Sequence, residues 1–407
     1  MKGNHLGITA PRGFQAAGVA AGIKKSGKPD MALIFSEAPC VTAGTFTTNM
    51  VKAAPVKWDQ GVVYGGFSAQ AVVINSGVAN ACTGQEGMDA CAKSAAAASK
   101  ALGIPAEGVL VASTGVIGAQ IPVDKIEAGI VALAPALSDT REAAAEAAAA
   151  IMTTDTKAKE VSVSFELGGK TVSIGGMCKG SGMIHPNMCT MLSFLATDAA
   201  ISKEMLQAAL SETVEDSYNM ISVDGDTSTN DTVLLLANGL AGNPEITEKG
   251  ADYETFKEAL AAVNTELAKM IAGDGEGATA LMEAKVSGAA TKEDAKRMAR
   301  AIISSDLSKA AIFGHDANWG RFLCAMGYSG ATFDPDAADI FIESAAGRLQ
   351  LVKGGMATDY SEEEASRILS EPEVRILADV HAGVGSATAW GCDLTYDYVK
   401  INADYRS

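Results

Sequence analysis

What this sequence has little of narrows its chemistry first. Histidine occurs four times in 407 residues, at positions 5, 185, 315 and 381, so an activity built on a histidine general base has few candidates. Basic residues are outnumbered, with 32 Lys and Arg against 49 Asp and Glu and a net charge of -17. No basic cluster interrupts that balance, and such a surface repels nucleic acid and anionic membranes. No apolar run reaches the ~20 residues that a membrane helix needs. The opening MKGNHLGITAPRGF lacks the apolar centre of a secretory signal. Seven cysteines stand apart, at 40, 82, 91, 178, 189, 324 and 392. An odd number without close pairing indicates reduced thiols in a cytoplasm. The grouping of Cys178, His185 and Cys189 offers three ligands at unusual spacing, which argues against zinc, and no metal is expected.

What is present centres on residues 175–199, GGMCKGSGMIHPNMCTMLSFLATDA. A glycine-rich turn leads into an apolar, strand-like run. Lys179, Ser181, His185, Cys189 and Thr190 lie along it. A threonine opening a buried strand is ordinarily a good strand residue and nothing more. The sharper reading is that the chain breaks itself before Thr190. The new α-amine would then stand beside its own hydroxyl and serve as its base, one way to activate a weak nucleophile. An α-amine has a pKa near ~8 and is partly neutral at physiological pH, so no distant histidine is needed.

This segment resembles the self-cleaving signature of the ornithine acetyltransferase family, the glutamate N-acetyltransferases of arginine biosynthesis. The signature, Lys-Gly-x-Gly-Met-Ile-x-Pro-x-Met-Ala-Thr-Met-Leu, is matched from Lys179 to Leu192 except at Cys189, where alanine is usual. The resemblance runs from Gly7 to the last residue, with no added domain and no internal repeat. It implies two fragments, 1–189 and 190–407, that together form one two-lobed catalytic unit. It also implies an αββα-like layered sandwich of the type shared with certain self-cleaving aminopeptidases. Pattern alone supports a mixed α/β chain of layered sheets covered by helices, without choosing that sandwich over a doubly wound sheet.

Taken in order, residues 1–80 read as short strands and turns, with apolar runs at 31–35 and 71–74. Residues 75–84, NSGVANACTG, suggest a tight loop at a strand end. Val78 there departs from the family, which usually has asparagine. Residues 90–102 form a helix stopped by Gly103. A strand at 109–112 runs into Ser113, Thr114 and Gly115. A Thr-Gly pair at a strand end can aim a hydroxyl and an N–H at one point, the hardware of an oxyanion hole. The resemblance places the family's oxyanion pair on Thr114 and Gly115. Residues 139–152 are a helix begun by a capping-box-like Asp139 and Glu142. In the polar stretch after it, the resemblance implies a substrate-contacting threonine, assigned to Thr153, with Thr154 and Thr156 left open.

A hairpin follows, 161–165 and 171–174 around Gly168-Gly169, and feeds the central loop. There Lys179 is ordinarily a solvated lysine, and the resemblance implies a substrate-carboxylate contact. Residues 202–220, 253–271, 291–303 and 361–370 read as helices, and 340–352, 374–380 and 387–401 as strands. The acidic run 222–231 fails as a calcium loop, since no glutamate sits at the required spacing. It reads as a structural turn that could line a pocket. Residues 273–279 lack the Gly-Lys-Ser/Thr ending of a phosphate loop. A glutamate in such a loop suits a cationic amine, and the family's substrate glutamate maps onto Glu276. His315 and Asp316 are adjacent loop residues and make a poor catalytic pair. The family's closing substrate contacts map onto Asn402 and Ser407.

The activity so implied is acetyl transfer from N-acetylornithine to glutamate, through an acetyl ester on Thr190. Thr153, Lys179, Thr190, Glu276, Asn402 and Ser407 would contact substrate, and Cys189 and Thr190 would flank the cleavage. No cofactor is needed, and acetyl-CoA stays open as a second donor. The expected partners are the two substrates and the fragments themselves, two copies of each, with no nucleic acid or membrane. A hydrolase with the same nucleophile is one alternative. An uncleaved ligand-binding protein is the other.

Overall fold

The computed structural model describes residues 2–4, 7–185 and 191–404. Its organising strand is the long Met31–Phe46. Pro39 falls in its middle, where the register against its neighbour shifts between Phe35 and Cys40. Proline has no N–H to give a ladder, so strands tolerate it at a break of this kind. On one side of the break Met31–Phe46 pairs with Phe14–Val19 and Ala69–Val78. On the other it pairs with Thr232–Ala237. The first sheet therefore continues, in one direction, through Ala69–Val78 to Val109–Val116. In the other it continues through Thr232–Ala237, Leu192–Thr197, Lys170–Lys179 and Lys159–Leu167 to Lys2–Asn4.

The bent strand makes the two halves of this sheet face one another. Ala32, Ile34, Val72, Ile74, Leu110 and Ala112 from one half pack with Met177, Leu192, Phe194, Ala196, Leu234 and Leu236 from the other. Strand side chains alternate between faces, so the intervening residues point outward. Met31, Leu33, Val73 and Val111 meet Ala95 and Ala98 of the helix Gly84–Leu102 and Ile126 and Ile130 of Val123–Leu133. On the opposite side Ile174, Leu195, Val233 and Leu235 meet the helices Lys203–Glu215 and Ala251–Gly273 through Leu210, Leu260 and Val263. The layers run helix, sheet, sheet, helix, which is the expected sandwich.

A second sheet runs Met356–Ala357, Gly347–Lys353, Asp339–Ser344, Glu373–Asp379, Leu281–Ala289, Gly385–Cys392 and Ile221–Ser222. With the helix Lys292–Ser304 it shares the apolar core beneath Ala251–Gly273. No helix among the described residues is long and apolar enough to cross a membrane. Cys40, Cys82, Cys91, Cys178, Cys324 and Cys392 carry free thiols.

Five expectations need correcting. Residues 340–352 are not one strand but the two antiparallel strands Asp339–Ser344 and Gly347–Lys353. The first 80 residues also hold a helix, Ala54–Tyr64, with a proline in its first turn, a position where the missing N–H costs nothing. Residues 75–78 continue a strand rather than opening a loop, because they pair with 113–116. The helix after residue 138 is capped by Thr140, whose hydroxyl accepts from the Ala143 N–H, and not by Asp139. The terminal strand stops at Cys392, and Tyr396–Asp404 is a helix. Its tyrosines and valine have strand propensity, but long-range bonds turn the chain just before it. Asp393 accepts from the Thr279 and Ala280 N–H groups, and the Thr395 hydroxyl donates to Gly277 O.

Candidate active site

The strand Val109–Val116 delivers Thr114 and Gly115 beside Gly77. Gly115 has φ +128°, and a Cβ there would lie 2.3 Å from the Gly77 carbonyl carbon. Only glycine fits so close an approach with that backbone, and the result is a bare backbone edge next to the Thr114 hydroxyl. Lys179 ends the strand Lys170–Lys179 on the facing half of the sheet, and its Nζ lies 3.4 Å from Thr114 Oγ1. The bent sheet thus brings together two motifs 65 residues apart in the chain.

A buried ion cluster holds the surrounding backbone in place. Lys159 Nζ lies 2.7 Å from Asp155 and 2.6 Å from Asp274. Asp155 also accepts from the Gly180 N–H at 2.7 Å and the Thr153 N–H at 3.0 Å. Burial alone would raise the Asp155 carboxyl, but Lys179 and Lys159 outweigh it and hold the group well below the usual carboxylate range. Burial likewise works against the Lys159 charge, and Asp155 more than restores it. Asp155 thereby fastens the turn carrying Thr153 to the start of the glycine-rich loop.

That loop is fixed further along. Asp224 accepts from the Met183 and Ile184 N–H groups at 2.6 and 2.8 Å, and the Thr227 hydroxyl donates to His185 O at 2.8 Å. Burial, then the neighbouring Arg300, lower the His185 imidazole. Its Nδ1 sits 3.0 Å from Ser222 Oγ and its Nε2 3.3 Å from Arg300. Arginine can only donate, so Nε2 accepts and Nδ1 carries the proton. Beyond residue 190, Met191 O accepts from the Thr232 N–H at 2.9 Å. Both flanks of residues 186–190 are therefore anchored.

Glu276 follows the helix Ala251–Gly273. Its N–H donates to Ser181 O at 2.9 Å, and its Oε2 accepts from Asn402 Nδ2 at 2.7 Å. Gly182 makes room for it, since a Cβ there would fall 2.4 Å from the Glu276 carboxyl carbon.

One cavity of about 170 Å³ is lined by Thr114, Gly115, Thr153, Lys179, Glu276 and Asn402, together with Thr154, Met191 and residues 228–231. Six residues expected from the sequence thus share a single wall. Thr156 lies elsewhere, its hydroxyl given to Asp274. Cys189, Thr190 and Ser407 lie outside the described residues. His315 and Asp316 do not meet as a pair. The His315 ring faces Ser370, and Asp316 accepts from Asn318. Among the described residues no group of His, Cys, Asp and Glu is placed to hold a metal ion. Cys178 is buried against Leu267 O, and burial pushes its thiol up.

Sequence reading missed Asp155 and Asn230. Asn230 donates to Ala79 O at 2.6 Å and Ser113 O at 2.8 Å, tying residues 228–231 to the Thr114 strand. Both act through backbone groups distant in sequence, which no local motif reveals. Only the acidic run 222–231 hinted at a wall of the pocket.

Fold and cavity together define a class, a layered α/β enzyme with its polar site where the two halves of a bent sheet converge. Residues 15–407 match the ArgJ family. The chain is 57% identical over 403 residues to the arginine biosynthesis bifunctional protein ArgJ of Symbiobacterium thermophilum, covering 98% of each chain. It is 52% identical over 398 residues to the same-named protein of Thermotoga neapolitana, covering 98% of this chain and 99% of that one. The crystal structure of arginine biosynthesis bifunctional protein argJ from Bacillus halodurans aligns with a TM-score of 0.51 at 49% identity, over 53% of this chain and all of that chain. The chain belongs to the ArgJ family, and it is an acyltransferase of arginine biosynthesis.

Proposed function

We propose that the chain moves an acetyl group from N-acetylornithine to glutamate through an ester on Thr190, after cutting itself into fragments 1–189 and 190–407. The observation that carries this reading is the convergence of Thr114, Gly115, Thr153, Lys179, Glu276 and Asn402 on one cavity. That cavity also borders Met191, the residue covalently next to Thr190.

The α-amine of Thr190 takes the proton of its own hydroxyl as Oγ attacks the acetyl carbonyl. The Thr114 hydroxyl and Gly115 N–H stabilise the oxyanion, a contribution of about 10²–10³ in rate per donor. Ornithine leaves with the returned proton. Glutamate then enters, its amine bonds to the acetyl carbon as the ester bond to Oγ breaks, and the proton that the amine gives up returns through the Thr190 α-amine to Oγ. Lys179 binds the α-carboxylate common to both substrates, and Glu276 the ornithine side-chain ammonium. Acetyl-CoA as a further donor, a cytoplasmic location and an assembly of two copies of each fragment belong to the same proposal.

The test is ornithine release measured with and without glutamate. Release that rises with glutamate and is matched by N-acetylglutamate supports transfer. Release indifferent to glutamate, with free acetate as product, would mean hydrolysis.

A further inference from the structure

Thr114 and Gly115 need more than their own strand to hold them. Among the described residues, Val109–Val116 lies at the end of the first sheet and is paired on one side only. Its register against Ala69–Val78 shifts between Gly77 and Val78, beside Gly115. Gly115 has φ +128°, a sparsely populated backbone conformation that persists only where the surroundings over-determine it. The ladder alone does not do so.

Asn230 supplies the missing hold. Its Nδ2 donates to Ser113 O at 2.8 Å and to Ala79 O at 2.6 Å. Ser113 O belongs to the peptide group that carries the Thr114 N–H, so the first bond holds the peptide plane that leads into Thr114. The Ala79 N–H donates in turn to Val116 O at 2.9 Å, so the second bond reaches the residue after Gly115. One amide thus brackets the pair from both ends. Asn230 is itself 6% exposed and firmly seated. Its Oδ1 accepts from Thr229 Oγ1 at 2.6 Å, and its carbonyl accepts from Thr232 Oγ1 at 2.9 Å. The carbonyls of Thr229 and Asp231, on either side, accept from the Ala53 and Thr47 N–H groups at 3.0 and 2.9 Å. Thr232 begins the strand Thr232–Ala237, which pairs with Leu192–Thr197 in the half of the sheet that carries Lys179. Asn230 therefore spans the two halves where they converge. It lines the cavity, yet both of its amide N–H groups are given to backbone carbonyls, and an asparagine has no others to offer a substrate.

We propose that Asn230 is the positioning residue of the oxyanion site. It sets where the Thr114 hydroxyl and the Gly115 N–H stand against the half of the sheet that carries Lys179, and it acts through them rather than on the substrate. This rests on the oxyanion role given to Thr114 and Gly115 above. Such donors stabilise a developing charge only when they are placed in advance, and a misplacement of ~1 Å can cost about 10²-fold in rate.

The experiment is steady-state kinetics of ornithine release from N-acetylornithine, with glutamate present, on wild type, Asn230→Asp, Thr114→Ala and the double variant. Each is checked for native circular dichroism and for the wild-type fragment pattern on a denaturing gel. Asn230→Asp keeps the side chain's shape but turns an oxygen, in place of the two N–H groups, toward two carbonyl oxygens. It should lower kcat about 10- to 100-fold and leave KM for N-acetylornithine within about twofold. Groups that act as a unit are not additive, so the loss in the double variant should fall short of the product of the two single losses. A natively folded Asn230→Asp with wild-type kcat, a raised KM at unchanged kcat, or a double variant whose loss equals that product would overturn the proposal. Where Asn230→Asp fails to fold or to give the wild-type fragment pattern, Thr229→Val decides. It removes only the hydroxyl that orients the Asn230 amide, and it should lower kcat about threefold or more at unchanged KM; an unchanged kcat overturns the proposal. Thr114→Ala separates this from the underlying reading. Wild-type kcat in that variant would sink the oxyanion role itself, whatever Asn230→Asp does.

Discussion

Glu276→Gln isolates one charge with little other disturbance. The turn that carries residue 276 is pinned through its backbone to Ser181, so the substitution leaves the loop in place. Glutamine keeps the side-chain length and an oxygen that can still accept from Asn402 Nδ2, now at 2.7 Å. Gly182 beneath it leaves the same space for either residue. What changes is the electrostatics toward a bound ammonium. Hydrogen bonds to charged groups contribute about 1.5–3 kcal/mol and neutral ones about 0.5–1.5, so the change costs roughly 1–1.5 kcal/mol. Since ~1.4 kcal/mol is tenfold, KM for N-acetylornithine should rise about 10-fold. Glutamate carries an anion at the equivalent end and should bind equally well or better once the facing carboxylate is neutral. The assay is steady-state kinetics of both half-reactions on the wild type and the variant. If glutamate weakened as much as N-acetylornithine, Glu276 would not be reading charge. It would then be a structural residue joining its turn to the helix Tyr396–Asp404.

Three further outcomes follow from the same geometry. Lys179→Met should weaken both substrates together, because the α-carboxylate is common to them; an effect confined to one would remove Lys179 from that contact. Thr114→Ala should still fold but lose about 10²–10³ in kcat, and unchanged turnover would exclude its hydroxyl from the oxyanion site. Asp155→Asn breaks a buried ion pair, which costs about 3–5 kcal/mol. With ~2.1 cal/mol/K per residue over 407 residues, 3 kcal/mol corresponds to a Tm about 3–4 °C lower at neutral pH for unfolding as one unit. The Asp155 carboxyl is held below its ordinary value, so its contribution is present above the ordinary carboxylate range and is lost as pH falls through the lowered value. The gap between wild type and variant should narrow on acidification, and a gap that widened would contradict the assignment.

Sequence made the candidate site legible where polar residues sit in short local runs. Thr114-Gly115, the Lys179 loop and Glu276 each stand in a distinctive stretch, and one cavity collects all three. The strands of the sandwich were legible for a similar reason, since apolar runs such as 71–74 and 192–195 have few other uses. What stayed hidden depends on partners far away in the chain. Nothing near Asp155 announces that its carboxylate will hold Gly180, and nothing near Asn230 announces Ser113. The terminal helix was misread because Tyr396, Tyr398 and Val399 favour strands locally, while Asp393 and Thr395 fix the chain direction through residues 277–280. The bend of Met31–Phe46 at Pro39, which creates the two facing halves, is a register shift that local pattern does not encode.

The measurement that bears most directly on the account is intact mass spectrometry of the purified protein, before and after incubation with N-acetylornithine in the absence of glutamate. The account predicts two fragments, 1–189 and 190–407, with the second gaining the mass of one acetyl group on Thr190 and losing it when glutamate is added. A single species of 41.6 kDa whose only N-terminus is Met1, and which takes up no acetyl group, would contradict it.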